Sequence, residues 1–150
     1  MKKLLVATVL VLSAAACSSE PGVGMKSDWL LGYGKIFYEP NNGMAALYII
    51  RDDPGRDTTL IDVTMGRESV GSLTGLGWMR VDLPPSVYDL RAAGAEGSTE
   101  LIITVNAGES RFLLAAPKPP GNAQLVELLQ PEGRRLVRKG QRVYSNPAIP

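Results

Sequence analysis

Between Gly43 and Leu129 the chain alternates apolar and polar residues in runs of five to eight, each closed by turn chemistry. Leu60 to Met65 sets Ile61, Val63 and Met65 against Asp62 and Thr64. Trp78 to Leu83 sets Met79, Val81 and Leu83 against Arg80 and Asp82, and Pro84-Pro85 then breaks any ladder. Val87 to Ala92 sets Tyr88, Leu90 and Ala92 against Asp89 and Arg91. Each reads as a strand with one wet face. Met44 to Arg51 differs, because Ala45, Leu47 and Ile49 lie on one face and Ala46, Tyr48 and Ile50 on the other. A strand apolar on both faces predicts a central position, covered on both sides. Glu68 to Leu73 follows the turn Gly66-Arg67 as a short strand. Leu101 to Asn106 and Arg111 to Ala116 predict a hairpin around Ala107-Gly108-Glu109. Leu125 to Leu129 is the last candidate strand.

Short strands at intervals of about ten residues, with no long stretch of helical period, predict an all-β chain: a single antiparallel β-sandwich, Ig-like or transthyretin-like, over residues 40–130. One short C-terminal helix is a candidate over Pro131 to Lys139, with proline in the first turn and acid before base. Gly133 and the short length count against it. Residues 131–150 form a basic C-terminal segment whose end, Ser145 to Pro150, is expected to fray. Gly66, Gly71 and Gly108 read as turn or bulge positions that need unusual backbone angles. Tyr48 and Tyr88 read as core or rim aromatics, and Arg51 as a solvated residue or a salt bridge at a sheet end.

The N-terminus follows another pattern. Lys2 and Lys3 precede an apolar run, Leu4 to Leu12, interrupted only by Thr8; small residues then lead to Cys17. The layout is that of a secretory signal. The run is too short for a spanning helix, which needs about 20 apolar residues. Ala14-Ala15-Ala16-Cys17 resembles the lipobox of bacterial lipoproteins, with alanine where leucine is commoner at the first position. The resemblance implies cleavage of residues 1–16 and a lipid on Cys17. Several acyl chains on one residue hold a protein firmly at a membrane, where a single chain does not. Ser18, not aspartate, follows the cysteine, so in a Gram-negative host the resemblance implies the periplasmic face of the outer membrane. Residues 17–39 would be the lipidated N-terminus and tether, with Pro21, Gly22 and Gly24 in the linker Ser18 to Met25. Four of the nine aromatics fall between Trp29 and Tyr38. This stretch is expected to lie across the domain core or to dock on a partner or membrane interface.

Composition narrows the chemistry. No histidine means no imidazole base and no histidine metal ligand, and one cysteine means no internal disulfide. The formal charge is +1, and loss of Lys2 and Lys3 with the signal makes it −1, against a nucleic-acid binder that neutralises phosphates. Arg51-Asp52-Asp53-Pro54-Gly55-Arg56-Asp57 is the densest charged loop. It lacks the alternate-residue spacing of a calcium loop, and its arginines offset its carboxylates. Gly32-x-Gly34-Lys35 and Gly71 to Gly77 are glycine-rich without the strand-then-helix context of a phosphate loop. No metal and no other cofactor is called for. Arg134, Arg135, Arg138, Lys139 and Arg142, facing only Glu132, are the candidate contact to a partner or to lipid headgroups.

The run Asn42 to Arg51, then Val63-Thr64-Met65-Gly66, Val70-Gly71-Ser72-Leu73, and Ala107-Gly108-Glu109 with Phe112, resembles a family of small bacterial lipoproteins whose shared domain has no assigned function. The likeness spans roughly residues 40–130 and extends to PEGA-type modules, small sandwiches of envelope proteins. At Leu83-Pro84-Pro85-Ser86-Val87-Tyr88 this chain has proline or serine where the family turn has glycine. The resemblance implies a fold type without a mechanism. Two readings follow. The first is a non-catalytic envelope lipoprotein, held to the membrane by its N-terminal lipid, that binds or scaffolds an envelope protein or peptidoglycan. The alternative is a small hydrolase of envelope polymers that uses carboxylates such as Asp52, Asp53 or Asp57.

Overall fold

The double-sided apolar run becomes β1 (Ala45–Ile50), and all six of its residues are buried. It lies in the middle of a five-stranded sheet, with one face on the sandwich interior and the other under a helix. The computed structural model describes residues 36–54 and 59–146. After β1 come β2 (Ile61–Met65), β3 (Glu68–Leu73), β4 (Gly77–Leu83), β5 (Ser86–Ala93), β6 (Ser98–Val105), β7 (Ser110–Lys118), β8 (Asn122–Leu128), α1 (Gln130–Lys139) and β9 (Gln141–Arg142). They form one sheet in the order β8-β7-β1-β4-β9 and a second in the order β3-β2-β5-β6. The expected all-β sandwich with a short C-terminal helix is the observed architecture.

Between the sheets, Leu47, Ile49, Met79, Leu83 and Leu113 meet Val63, Val70, Leu73, Leu90 and Ile103. The polar partners in the alternation, Asp62 in β2 and Asp89 and Arg91 in β5, point to solvent. A second apolar cluster lies outside the five-stranded sheet. There Ala46, Tyr48, Ile50, Trp78 and Phe112 are covered by Leu136 and Val137 of α1, with Phe37 packed alongside. The C-terminal segment therefore belongs to the layers of the fold. Leu136 and Val137 complete a second core beside the sandwich interior. Ser145 and Asn146 are also tied down: the Ser145 hydroxyl donates to the Arg80 carbonyl at 2.9 Å and the Asn146 N–H to the Val70 carbonyl at 2.7 Å.

Two expectations are corrected. Leu101 to Asn106 and Arg111 to Ala116 are not a hairpin. β6 pairs with β5 along its length in the four-stranded sheet, whereas β7 crosses to the other sheet, antiparallel to β8 and parallel to β1. The side chains explain the crossing. In β6, Ile103 and Val105 are buried while Ile102 and Thr104 are exposed, which suits a sheet with one wet face. In β7, Phe112 faces the helix layer and Leu113 and Ala115 face the sandwich interior, so this strand needs cover on both sides. The connection is held at its corner. The Asn106 N–H and side-chain amide donate to the Glu109 carboxylate at 3.0 and 3.2 Å, and the Gly108 N–H donates to the Met44 carbonyl at 2.7 Å. The sandwich is also not purely antiparallel, since β1 with β7 and β4 with β9 are parallel pairs.

The bulge expected at Gly71 is present. The β2–β3 register slips between Val63 and Thr64, and Gly71 has φ +148°. α1 forms despite Gly133, with Pro131 in its first turn, Glu132 following, and Arg138 and Lys139 in its last turn.

Candidate functional site

The outer face of the five-stranded sheet gathers four of the described aromatic rings. Tyr48 in β1 stacks on Phe112 in β7 at 4.8 Å between ring centres and 11° between planes. Trp78 in β4 lies 6.1 Å from Tyr48 on the other side. Phe37 closes the group at 5.7 Å from Tyr48 and 6.1 Å from Phe112. The β1–β4 register sets Arg80 directly opposite Tyr48.

Four guanidinium groups lie over these rings. Arg80 sits 5.5 Å from the Tyr48 centroid and Arg142 5.5 Å from that of Trp78. Arg134 and Arg138, one helical turn apart, sit 5.2 and 5.4 Å from Phe37. A cation over a ring face is attracted by the ring's quadrupole, more strongly where water is excluded. Arg80 is the most buried of the ion-paired arginines on this face, its side chain 11% exposed, and it pairs with Asp82 at 2.8 Å. It also donates to the Tyr48 hydroxyl and to the Tyr38 carbonyl, each at 3.1 Å. Burial pushes the Tyr48 phenol up from its ordinary pKa, against the pull of Arg80. Burial, then the charge of Arg80, pushes Arg142 down from its own.

The cations expected to act together are brought to one side. Arg134, Arg135, Arg138 and Lys139 occupy the outward face of α1, opposite buried Gly133, Leu136 and Val137. Arg142 lies beside them in β9. They do not face only Glu132, as the linear order suggests. Lys139 pairs with Asp52 at 2.7 Å, and Arg135 reaches Glu132 at 4.0 Å. Among the described residues, Arg134, Arg138 and Arg142 have no carboxylate partner. The Nε–H groups of Arg134 and Arg142 are buried without an acceptor. Sequence reasoning missed Arg80 and the ring platform. Arg80 reads as a solvent-facing residue of an alternating strand, and only the helix seated outside the sheet turns that face into an interior.

Of the two expectations for Arg51, the salt bridge at a sheet end is the one observed: it pairs with Asp53 at 3.4 Å. It is 1% exposed and not solvated, and it donates to the carbonyls of Thr59 and Leu73. Asp52 and Asp53 thus serve Lys139 and Arg51 and form no pair of their own. Among the described residues no three acidic side chains converge on a metal-sized space. Asp53 also lines a cleft of about 420 Å³, together with Glu96 and Lys118. Cys17, Lys35, Asp57 and the aromatics from Trp29 to Tyr33 lie outside the described residues. Tyr88 is a rim aromatic whose hydroxyl donates to the Pro84 carbonyl at 2.7 Å. None of the described helices is long and apolar enough to cross a membrane.

Comparison of the chain with protein-family models, with curated proteins and with solved structures finds no match in any of the three. The functional reading therefore rests on the face just described and on the N-terminal pattern.

Proposed function

We propose that the chain is a lipid-anchored protein of the bacterial cell envelope, related to the small lipoproteins and PEGA-type modules it resembles, whose sandwich binds or scaffolds other envelope components without catalysing a reaction. The observation that carries this reading is where the N-terminal segment joins the domain. Phe37 is part of the second core, and Arg80 holds the Tyr38 carbonyl. The segment that leads from Cys17 thus enters the fold beside the helix that carries the ring-stacked arginines. A basic face beside the start of the described chain suits a module that presents a surface at a membrane. The periplasmic face of the outer membrane is the proposed location, from Ser18 after the cysteine.

The test is the anchor. Cys17→Ala is expected to abolish palmitate labelling and to release the protein from the membrane fraction. Labelling unchanged in the variant would sink the reading. Recovery of a protein or glycan partner by crosslinking the lipidated protein in envelope preparations would name what it binds.

The hydrolase alternative keeps one observation in its favour, the shared cleft of Asp53 and Glu96. Asp53 is tied to Arg51 there, which favours a structural role. Digestion of peptidoglycan by the purified protein that is lost in Glu96→Gln would restore that alternative. The expected result is no turnover by either form.

A further inference from the structure

We infer that the outward face of α1, with Arg142 beside it and the largely buried Arg80 behind it, docks on anionic phospholipid headgroups and holds the sandwich against the membrane surface. This deepens the function proposed above and rests on its lipid anchor, because the membrane concerned is the one that the N-terminal segment reaches.

The first observation is charge segregation. Six of the eleven described cations belong to this face: Arg80, Arg134, Arg135, Arg138, Lys139 and Arg142. Five of the twelve described carboxylates lie with them or next to them, namely Glu39, Asp52, Asp53, Asp82 and Glu132. The rest of the described domain holds five cations against seven carboxylates. A nearly neutral chain thus has a positive side and a negative side. An anionic surface attracts the first and repels the second, which sets an orientation that net charge alone would not.

The second observation is the path of the chain. Phe37 lies under Arg134 and Arg138, so the described chain begins at this same face. Eighteen residues separate Cys17 from Ile36. Even fully extended they span no more than about 65 Å. The basic face is thereby kept within reach of the bilayer, and docking becomes an intramolecular step at high effective concentration. The third observation is the rim. Ile36 is 62% exposed, Leu129, just before α1, is 79% exposed, and Tyr38 is 48% exposed. Apolar and tyrosine side chains beside a basic helix suit the boundary between headgroups and acyl chains. Stacking on Phe37 and Trp78 already restricts Arg134, Arg138 and Arg142, so contact orders less than it would for free side chains.

The protein bearing its native lipid is reconstituted in vesicles of phosphatidylcholine alone and of phosphatidylcholine with phosphatidylglycerol. Amide hydrogen exchange is expected to slow over Gln130–Lys139 and at Phe37 and Tyr38 only in the second, and high salt should remove the difference. The variant Arg135→Gln/Arg138→Gln changes two exposed positions and spares the buried face of α1. It is expected to lower the ratio of docked to free protein about thirtyfold, or about fivefold per charge. Equal exchange in the two vesicles, or slowing that the variant leaves intact, overturns the proposal. Slowing of α1 in native envelope membranes but not on phosphatidylglycerol assigns the face to a protein or peptidoglycan partner and overturns it too. If Cys17 carries no lipid, the same contrast is read with protein added to the vesicles from outside. Failure of the anchor and failure of docking are then separate results.

Discussion

Gly133→Ala is expected to lower the unfolding temperature by roughly 10 °C, although alanine is the better helix former. On propensity alone the change should stabilise α1 by about 1 kcal/mol. Packing reverses the sign. A methyl group at position 133 would lie 2.3 to 2.5 Å from Cγ, Cβ and Cδ1 of Phe112. Those atoms are the root of the side chain, not a flexible end, so rotation cannot clear them. Phe112 is also held from the far side by its stack on Tyr48 at 4.8 Å. The helix must lift away, which opens the contact of Leu136 and Val137 with the sheet. Overpacking of this kind costs about 3 kcal/mol at the upper end of its range, leaving a net loss of about 2 kcal/mol. Thermal unfolding of Gly133→Ala, of Phe112→Ala and of the double variant checks it. Alanine at 112 removes the Cγ and Cδ1 contacts, so the double variant should lose less than the sum of the two single losses, a coupling between the sites. A rise in melting temperature for Gly133→Ala would mean that α1 does not lie this close to β7. The platform beneath the arginines would then be wrong as well.

Gly133 also shows where sequence reading reaches its limit. In the linear chain it counts against a helix, because glycine adds backbone entropy and no packing. Its value appears only when α1 is laid on β7, a contact between residues far apart in sequence. The alternating strands were legible because each carries its own burial pattern: Asp62 and Thr64 point out of β2 whatever its neighbours are. The double-sided run Ala45 to Ile50 was legible as a central strand for the same reason. What covers its second face was not. The pairing of β6 with β7 was misread because a short glycine turn between two strands signals a hairpin. The stronger signal lay in the strands, since β6 alternates and β7 does not. The basic residues of the candidate face stood out as a cluster in the chain. Arg80, which joins them from β4, and Tyr48, which receives it, are brought there by register alone.

Arg51→Met is expected to destabilise the domain by about 3 kcal/mol, with Arg51→Lys recovering only a small part. The side chain ends β1, the strand on which both cores depend, and it is 1% exposed. Its partners include the Thr59 carbonyl, the Leu73 carbonyl at 3.2 Å, and the Asp53 carboxylate at 3.4 Å. These come from the loop before β2, the end of β3 and the loop after β1. One planar group thereby joins the edge of the four-stranded sheet to the centre of the other. Methionine fills much of the volume but donates nothing. It strands two carbonyls and leaves Asp53 unpaired beside them, and each lost partner at a buried site costs roughly 1–3 kcal/mol. Asp53 is 26% exposed and can turn to water, which keeps the total at the low end of that sum. A lysine ammonium is a point donor and cannot hold carbonyls on different elements in one plane. Urea unfolding of the wild type and both variants measures this directly, as a fall in midpoint at constant slope. A methionine variant as stable as the wild type would show that apolar packing alone holds the two sheets together at this end. Arg51 would then be a passenger in the core.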